Sequence, residues 1–167
     1  MKTLIAYCSS HGCTEKSATE LKNHLGENVN LCNLKKDATP DLEEYNRVIV
    51  GGSIHAGRIQ KKVKDFCNKN LQVLLEKEIG LFICCMEEGE GAQRELEMSY
   101  PPELFESAKA SAYFGGEFNF QKMNFLEKMI IKKVAHVEET TSNINHTAIR
   151  DFSQKMDRIF NPFLFIA

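Results

Sequence analysis

The sequence predicts an α/β domain built on a mostly parallel sheet with helices against both faces, and three observations predict it. Short runs that are apolar or β-branched alternate with segments whose apolar residues recur at helical spacing. Several runs are apolar throughout, as strands covered on both sides must be, and Gly, Pro and polar clusters punctuate the joins. A crossover between parallel strands lays a helix on the sheet each time, so the alternation itself dictates the layers.

Taken in order, residues 3–8 form a first strand and 14–25 a first helix, with Thr14 as its N-cap and Ala18, Leu21 and Leu25 on one face. Residues 28–34 set Val29, Leu31 and Asn33 against polar neighbours, a second strand followed by a polar turn through Asp37 and Pro40. Residues 47–51 are a third strand, after which Ile59, Val63, Phe66 and Cys67 recur at helical spacing. Residues 80–86 make a fourth strand, 92–97 a short helix stopped by Pro101 and Pro102, and 110–114 a last strand ending at Gly115 and Gly116. A final helix starts near Thr147 and turns Ile149, Phe152, Met156 and Ile159 inward. With no repeat, low-complexity tract or linker, residues 1–160 read as one domain and 161–167 as a short apolar tail beyond Asn161.

The composition excludes several function classes. A net charge of -2 gives no field that would hold a nucleic acid, and no Lys/Arg block carries interleaved aromatics. The apolar run before Ser9 is too short for a signal-peptide core, and no stretch approaches the roughly 18 apolar residues of a membrane span. The expectation is a cytoplasmic protein. Six cysteines without a CxxC pair, three of them inside strand patterns, read as buried reduced thiols rather than as a disulfide framework or a zinc site.

The join between the first strand and first helix, Ser9-Ser10-His11-Gly12-Cys13-Thr14, carries the chemistry. Its amides lie at a helix N-terminus, where the positive end of the dipole favours an anion. Ser9, Ser10 and Thr14 add hydroxyl donors, Gly12 lets the backbone close, and no Lys or Arg is present. The loop has neither the lysine of GxxxxGK[ST] nor the glycines of GxGxxG, so a single phosphate held by uncharged donors fits better than a triphosphate or a dinucleotide. The plainer reading, that Ser, Gly and Thr only form a turn and a cap, stays open.

The strand-S-x-H-G-x-T-helix pattern resembles the phosphate loop of flavodoxins. Gly51-Gly52-Ser53-Ile54-His55-Ala56-Gly57 resembles the corresponding loop of the flavodoxin-like, menaquinone-dependent protoporphyrinogen IX oxidases, and Phe114-Gly115-Gly116 through Lys133 resembles that family's aromatic-rich stretch and basic, apolar helix. The resemblance runs from Met1 to about Ile159. It implies a flavodoxin-like three-layer sandwich with a five-stranded parallel sheet in the order 2-1-3-4-5, and an insert at about 117–146. It also implies FMN as cofactor. The phosphate would sit on Ser9, Ser10, His11, Gly12, Cys13 and Thr14. The flavin ring would lie between Gly52, Ser53, Ile54, His55, Ala56 and Gly57 on one side and Cys85, Met86, Glu87, Glu88 and Gly89 on the other, where the strand order reverses. Gly52 and Gly57 are expected to permit a close backbone approach or a positive φ, with ordinary turn formation as the other reading.

Departures from the flavodoxin pattern matter as much. The loop after the fourth strand holds no Tyr or Trp to stack on a flavin, which leaves Met86 and His55 as the side chains to cover the ring. Glu87 and Glu88 either disfavour an anionic reduced flavin or are solvated, and Cys13 is either a low-pKa thiol at a helix N-terminus or a passive position. Carrier flavodoxins are very acidic and this chain is nearly neutral, which favours an enzyme. Met123, Leu126, Ile130 and Val134 form one helical stripe, yet Phe125, Met129 and Ile131 lie outside it beside Lys122, Lys128, Lys132 and Lys133. Residues 118–135 therefore suit a porphyrin, a quinone or peripheral contact with the inner face of a membrane, or else form thick core or a homodimer contact. The leading expectation is an FMN-dependent oxidoreductase resembling protoporphyrinogen IX oxidase, within porphyrin and heme formation. It would move electrons from a planar hydrophobic donor such as a porphyrinogen to a quinone, with no catalytic side chain and no metal. The alternative is an electron carrier between redox proteins; a third reading is an interaction module without flavin.

Overall fold

The computed structural model describes residues 1–136 and 139–158, with the backbone alone for Val134 and Ala135; Ile159 and the tail 161–167, and the place of Val134 in its stripe, lie outside the described residues. In chain order the elements are β1 (Thr3–Cys8), α1 (Cys13–Leu25), β2 (Val29–Asn33), a 3-10 turn (Leu42–Glu44), β3 (Arg47–His55), β4 (Arg58–Ile59), α2 (Lys61–Lys69), α3 (Leu71–Leu75) and β5 (Glu78–Cys84). There follow α4 (Gly89–Ser99), α5 (Pro102–Ser107), β6 (Ala110–Tyr113), β7 (Glu117–Phe118), α6 (Phe125–Ala135), β8 (Thr141–Ser142) and α7 (His146–Asp157).

Five strands pair in parallel in the order β2-β1-β3-β5-β6, the 2-1-3-4-5 order expected of the five main strands, and β4 folds back antiparallel on the end of β3. Because side chains alternate across a strand, each strand feeds two cores. Leu4, Ala6, Val48, Val50, Leu81 and Ile83 face Val63, Phe66, Cys67, Leu74, Leu96 and Leu104 of α2 to α5. Ile5, Tyr7, Ile49, Phe82 and Cys84 face Ala18 and Leu21 of α1 and Ile149, Phe152 and Met156 of α7. At the opposite edge from the site, the buried Arg47 guanidinium donates to Glu78 at 2.6 Å, to Asp157 at 2.8 Å and to the Met156 carbonyl, fixing α7 against the sheet. All six cysteines are free and buried, as the strand patterns predicted.

Several boundaries differ from the sequence reading for identifiable reasons. α1 starts at Cys13 on Gly12, whose φ of 97° is open to glycine, so Thr14 is not the N-cap but a fully buried residue of the first turn. β3 continues to His55 because Ile54 and His55 pair with Ile59 and Arg58 across a two-residue turn at Ala56 (φ 49°) and Gly57 (φ 71°). Ile59 is thereby spent in a hairpin, and α2 begins at Lys61. Pro102 opens α5 at its first position instead of only ending α4, since a missing N–H costs nothing there. Between β6 and α7 the chain makes an excursion whose ends are zipped by β7 and β8 and whose middle is α6.

The second core is tightest where Gly51 of β3 lies opposite Phe82 of β5. A Cβ on Gly51 would run into the Phe82 ring, which stacks on Phe114 at 4.7 Å, which in turn meets Phe152 edge-on at 5.4 Å. Gly51→Ala should cost about 3 kcal/mol, the upper end of ordinary overpacking. Urea unfolding checks it: adding Phe82→Leu should make the double variant less unstable than the sum of the two single losses, and simple additivity would disprove the ring contact as the cause.

Candidate functional site

Strand order reverses between β1 and β3, and the loops leaving the carboxyl ends of β1, β3 and β5 converge there. The β1–α1 loop is curled by Ser9 Oγ accepting from the Gly12 amide at 3.1 Å. The amides that open α1 have no intrahelical carbonyl to bond, so they point their hydrogens toward the loop. Thr14 Oγ1 lies 2.8 Å from Ser53 Oγ, and Ser53 is itself clamped by Gln60, which accepts from the Ser53 amide at 2.7 Å and donates to its hydroxyl at 3.2 Å. Two loops far apart in sequence are thus locked together by side-chain hydroxyls.

Beside this junction opens a cavity of about 500 Å³. His11 and Cys13 from the first loop, residues 53–57 of the hairpin, and Cys85, Met86 and Glu87 after β5 all line it. Ser9, Ser10, Gly12 and Thr14 flank the cavity without lining it, and Ser10 is exposed. Packing by itself requires a glycine at Gly52: a Cβ there would meet Gln60 Oε1 at 2.8 Å and Ile59 Cγ1 and Val63 Cγ2 at 2.9 Å. Gly57 serves the hairpin turn and faces open space. Glu88 and Gly89 start α4, are exposed, and open onto a smaller hollow of about 290 Å³ instead.

Much of the wall comes from the excursion, whose residues 118–135 the sequence reading set aside for a porphyrin, a quinone or a membrane; Glu95 and Glu117 were not singled out. Glu117, Phe118, Met123, Glu127, Ile130 and Ile131 close the outer wall. Gly116 lets that segment approach, since a Cβ would stand 2.6 Å from Met86 Sδ and 2.8 Å from the Cys85 carbonyl. The signal available in the sequence was the Asn124-x-x-Glu127 capping box, which fixes where α6 starts. Its Glu127 carboxylate accepts from the Asn124 amide at 2.9 Å and also meets His11 Nε2 at 3.2 Å, tying the excursion to the first loop. Lys16 makes a second tie, 2.8 Å from Glu117, whose side chain is only 3% exposed.

These contacts set the charges around the cavity. The Asn124 amide and His11 outweigh slight desolvation and lower the Glu127 carboxyl. Burial alone would raise Glu117, but Lys16, Asn119 and Ser142 overcome it and hold the carboxyl below its usual range. Cys13 is buried beside Cys84, and burial there raises a thiol, which favours the passive reading of Cys13. Burial pushes Cys85 up to about 12. Burial also raises Glu95, a cavity-lining residue whose Oε2 is buried with no hydrogen-bond partner among the described residues. The cavity walls and the neighbouring His11, whose ring centroid is 5.9 Å away, hold His55 below 6.5. Among the described residues no cluster of three or more His, Cys, Asp or Glu can hold a metal.

A family model described as Flavodoxin domain matches residues 4–145. The chain belongs to the flavodoxin domain family. Protoporphyrinogen IX dehydrogenase [quinone] of Escherichia coli (strain K12) is 32% identical over 73 residues, 42% of this chain. The match spans only 40% of that relative's length. Oxidised flavodoxin 1 from Bacillus cereus superposes with a TM-score of 0.59 at 15% identity, over 93% of this chain and 97% of its own. The flavodoxin of Fusobacterium nucleatum bound to flavin mononucleotide superposes with a TM-score of 0.51 at 16% identity, over 93% and 97%. This flavodoxin domain therefore has the fold of those proteins, while its wall of excursion residues is read from its own structure.

The Thr14–Ser53 junction can be tested apart from any ligand. Thr14→Val removes one buried hydroxyl and should cost about 1–2 kcal/mol in chemical denaturation; an unchanged midpoint would show that the junction adds nothing to stability. His55 gives a pH signature. Its folded-state value lies below 6.5, so the unfolded chain binds more protons as pH falls, and the stability tied to neutral His55 is complete above 6.5 and lost below it. His55→Gln should flatten part of the stability loss as pH falls below about 6.5, and an identical slope in both proteins would rule this out.

Proposed function

We propose that this domain binds FMN and works as an oxidoreductase on a planar hydrophobic donor, a porphyrinogen by analogy with the partial relative, with a quinone as electron acceptor. One observation carries the substrate side of this reading: the outer wall of the cavity is an apolar helix that stays largely uncovered. Met123 before the helix and Ile130 and Ile131 on it line the cavity, and on that helix Phe125 is 81% exposed, Leu126 59% and Met129 51%. A donor flat enough to lie on a flavin and greasy enough to meet this wall suits both surfaces.

The residues present fit the cofactor. The loop at the start of α1 offers unpaired amides and the Ser9 and Ser10 hydroxyls to a phosphate, and Gly12 takes the left-handed turn that brings them round. The cavity, at about 500 Å³, is within the range of small-molecule sites. When bound, the flavin supplies the hydrogen and electron transfer. The protein's own share is orientation and electrostatics. Met86 and His55 flank the ring position without an aromatic stack, neutral His55 adds no cation beside it, and the excursion shields it from water. Glu87, exposed at the cavity edge, would oppose negative charge on the reduced ring, whereas Glu88 is turned away and solvated.

Lys128, Lys132 and Lys133 border the apolar face of α6, and near anionic lipid each adds about 1 kcal/mol of attraction, so we assign this face to peripheral membrane contact. No described helix is long and apolar enough to cross a membrane. The carrier reading draws on the superposition over nearly the whole of a flavodoxin chain. Purified protein should turn yellow with FMN and oxidise protoporphyrinogen when menadione is supplied. FMN binding without turnover, together with a stable blue semiquinone and electron transfer between a reductase and an acceptor protein, would replace the enzyme by a carrier. Absence of saturable FMN binding would remove both.

A further inference from the structure

Three charged side chains of the excursion reach back to the start of α1. Two are carboxylates with partners: Glu117 meets Lys16 at 2.8 Å and Glu127 meets His11 at 3.2 Å. The third is Lys122, which has no carboxylate partner among the described residues. Its ammonium lies over Gly12, so close that a Cβ built there would stand 2.8 Å from Nζ, with Cε at 3.9 Å and Cδ at 4.0 Å.

The placement is built on both sides of the lysine. Its amide donates to the Asn119 carbonyl at 3.0 Å and the Gln121 amide to Asn119 Oδ1 at 3.2 Å, which fixes the turn before it. After it, Met123 is buried in the cavity wall, and the Asn124–Glu127 capping box starts α6. The side chain between these anchors is directed at the loop.

The electrostatics give that lysine a task. A phosphate monoester carries about -1.5 to -2 charges near neutral pH, against roughly +0.5 from a helix N-terminus. The loop from Ser9 to Thr14 contains no Lys or Arg, so hydroxyls and amides alone leave most of the dianion's charge uncompensated. We propose that Lys122, delivered from the excursion, is the cation that clamps the flavin phosphate and makes the site select the phosphorylated flavin over riboflavin. This rests on the FMN reading above but adds a residue, a route and a selectivity to it.

Flavin fluorescence quenching tests it on the full-length protein, with FMN and riboflavin each titrated into wild type, Lys122→Met and Lys122→Arg. Methionine keeps most of the aliphatic stem, so loss of a charge-assisted contact should raise the Kd for FMN roughly ten- to a hundredfold and leave riboflavin within about twofold. Arginine should restore FMN binding to within a few-fold, and half-molar salt should shrink the gap between wild type and Lys122→Met. Unchanged FMN affinity in Lys122→Met overturns the proposal, as does an equal loss for both flavins, which marks a packing role. Wild type that fails to quench FMN would overturn the cofactor reading and this inference together.

Discussion

The hydroxyl contact between Thr14 and Ser53, held by Gln60 from behind, is the joint on which the site depends. A parallel sheet covered on both faces has no exposed surface of its own, so its chemistry is confined to the edge where strands end. At that edge the loops after β1 and β3 run out on either side of the reversal, each with its own reasons to turn. The β1–α1 loop turns because Gly12 adopts φ 97°, and the β3–β4 hairpin turns on Ala56 and Gly57. Neither constraint sets the distance between the loops. The pairing of β1 with β3 up to Cys8 and Gly52 brings them together, and the half-buried hydroxyl pair ties them just beyond the last paired residues.

The third wall is held by different means. The excursion touches the first loop and α1 through Glu127 to His11 and Lys16 to Glu117, and its own ends are zipped by the β7–β8 ribbon. Exposed ion pairs are individually weak, and only Glu117 is well buried, so this wall rests on several modest ties rather than on an apolar core.

Most of the sheet was legible because burial on both faces forces apolar runs, and runs as short and apolar as 47–51 and 80–86 between turn residues fit a buried strand far better than a helix. What escaped was set by contacts between distant parts of the chain. Thr14 has the chemistry of an N-cap, but Gly12 takes the left-handed position first and leaves the threonine to turn inward. Gly52 reads in the sequence as a glycine for a ligand, and the side chains of Val63 and Ile59 leave it no room for a Cβ, a packing reason that spacing does not reveal. The hairpin at 54–59 was hidden because its turn uses Ala-Gly, and Ala56 at φ 49° is a poor local signal. The first loop has no cationic side chain within its own six residues. The lysine above it arrives from more than a hundred positions away, and spacing along the chain carries no record of where a flexible side chain is aimed.

The choice between enzyme and carrier turns on how α6 is stabilised. An isolated helix of this length is marginal in water and normally needs a buried face. α6 has little of one: Ile131 is half-buried, but Phe125, Leu126, Met129 and Ile130 are all exposed. Its stability draws instead on the capping box at Asn124, with Glu127 in the first turn and Lys132 and Lys133 in the last, which complement the helix dipole at both ends. Local interactions of this kind keep a helix formed without using its apolar side chains. A carrier that docks through charge has no use for such a face, since uncovered Phe and Leu only add nonspecific association. On the proposed reading, a protein that meets a hydrophobic donor, a quinone or a lipid surface would use a formed but uncovered apolar helix beside its cofactor, and α6 is such a helix beside the cavity.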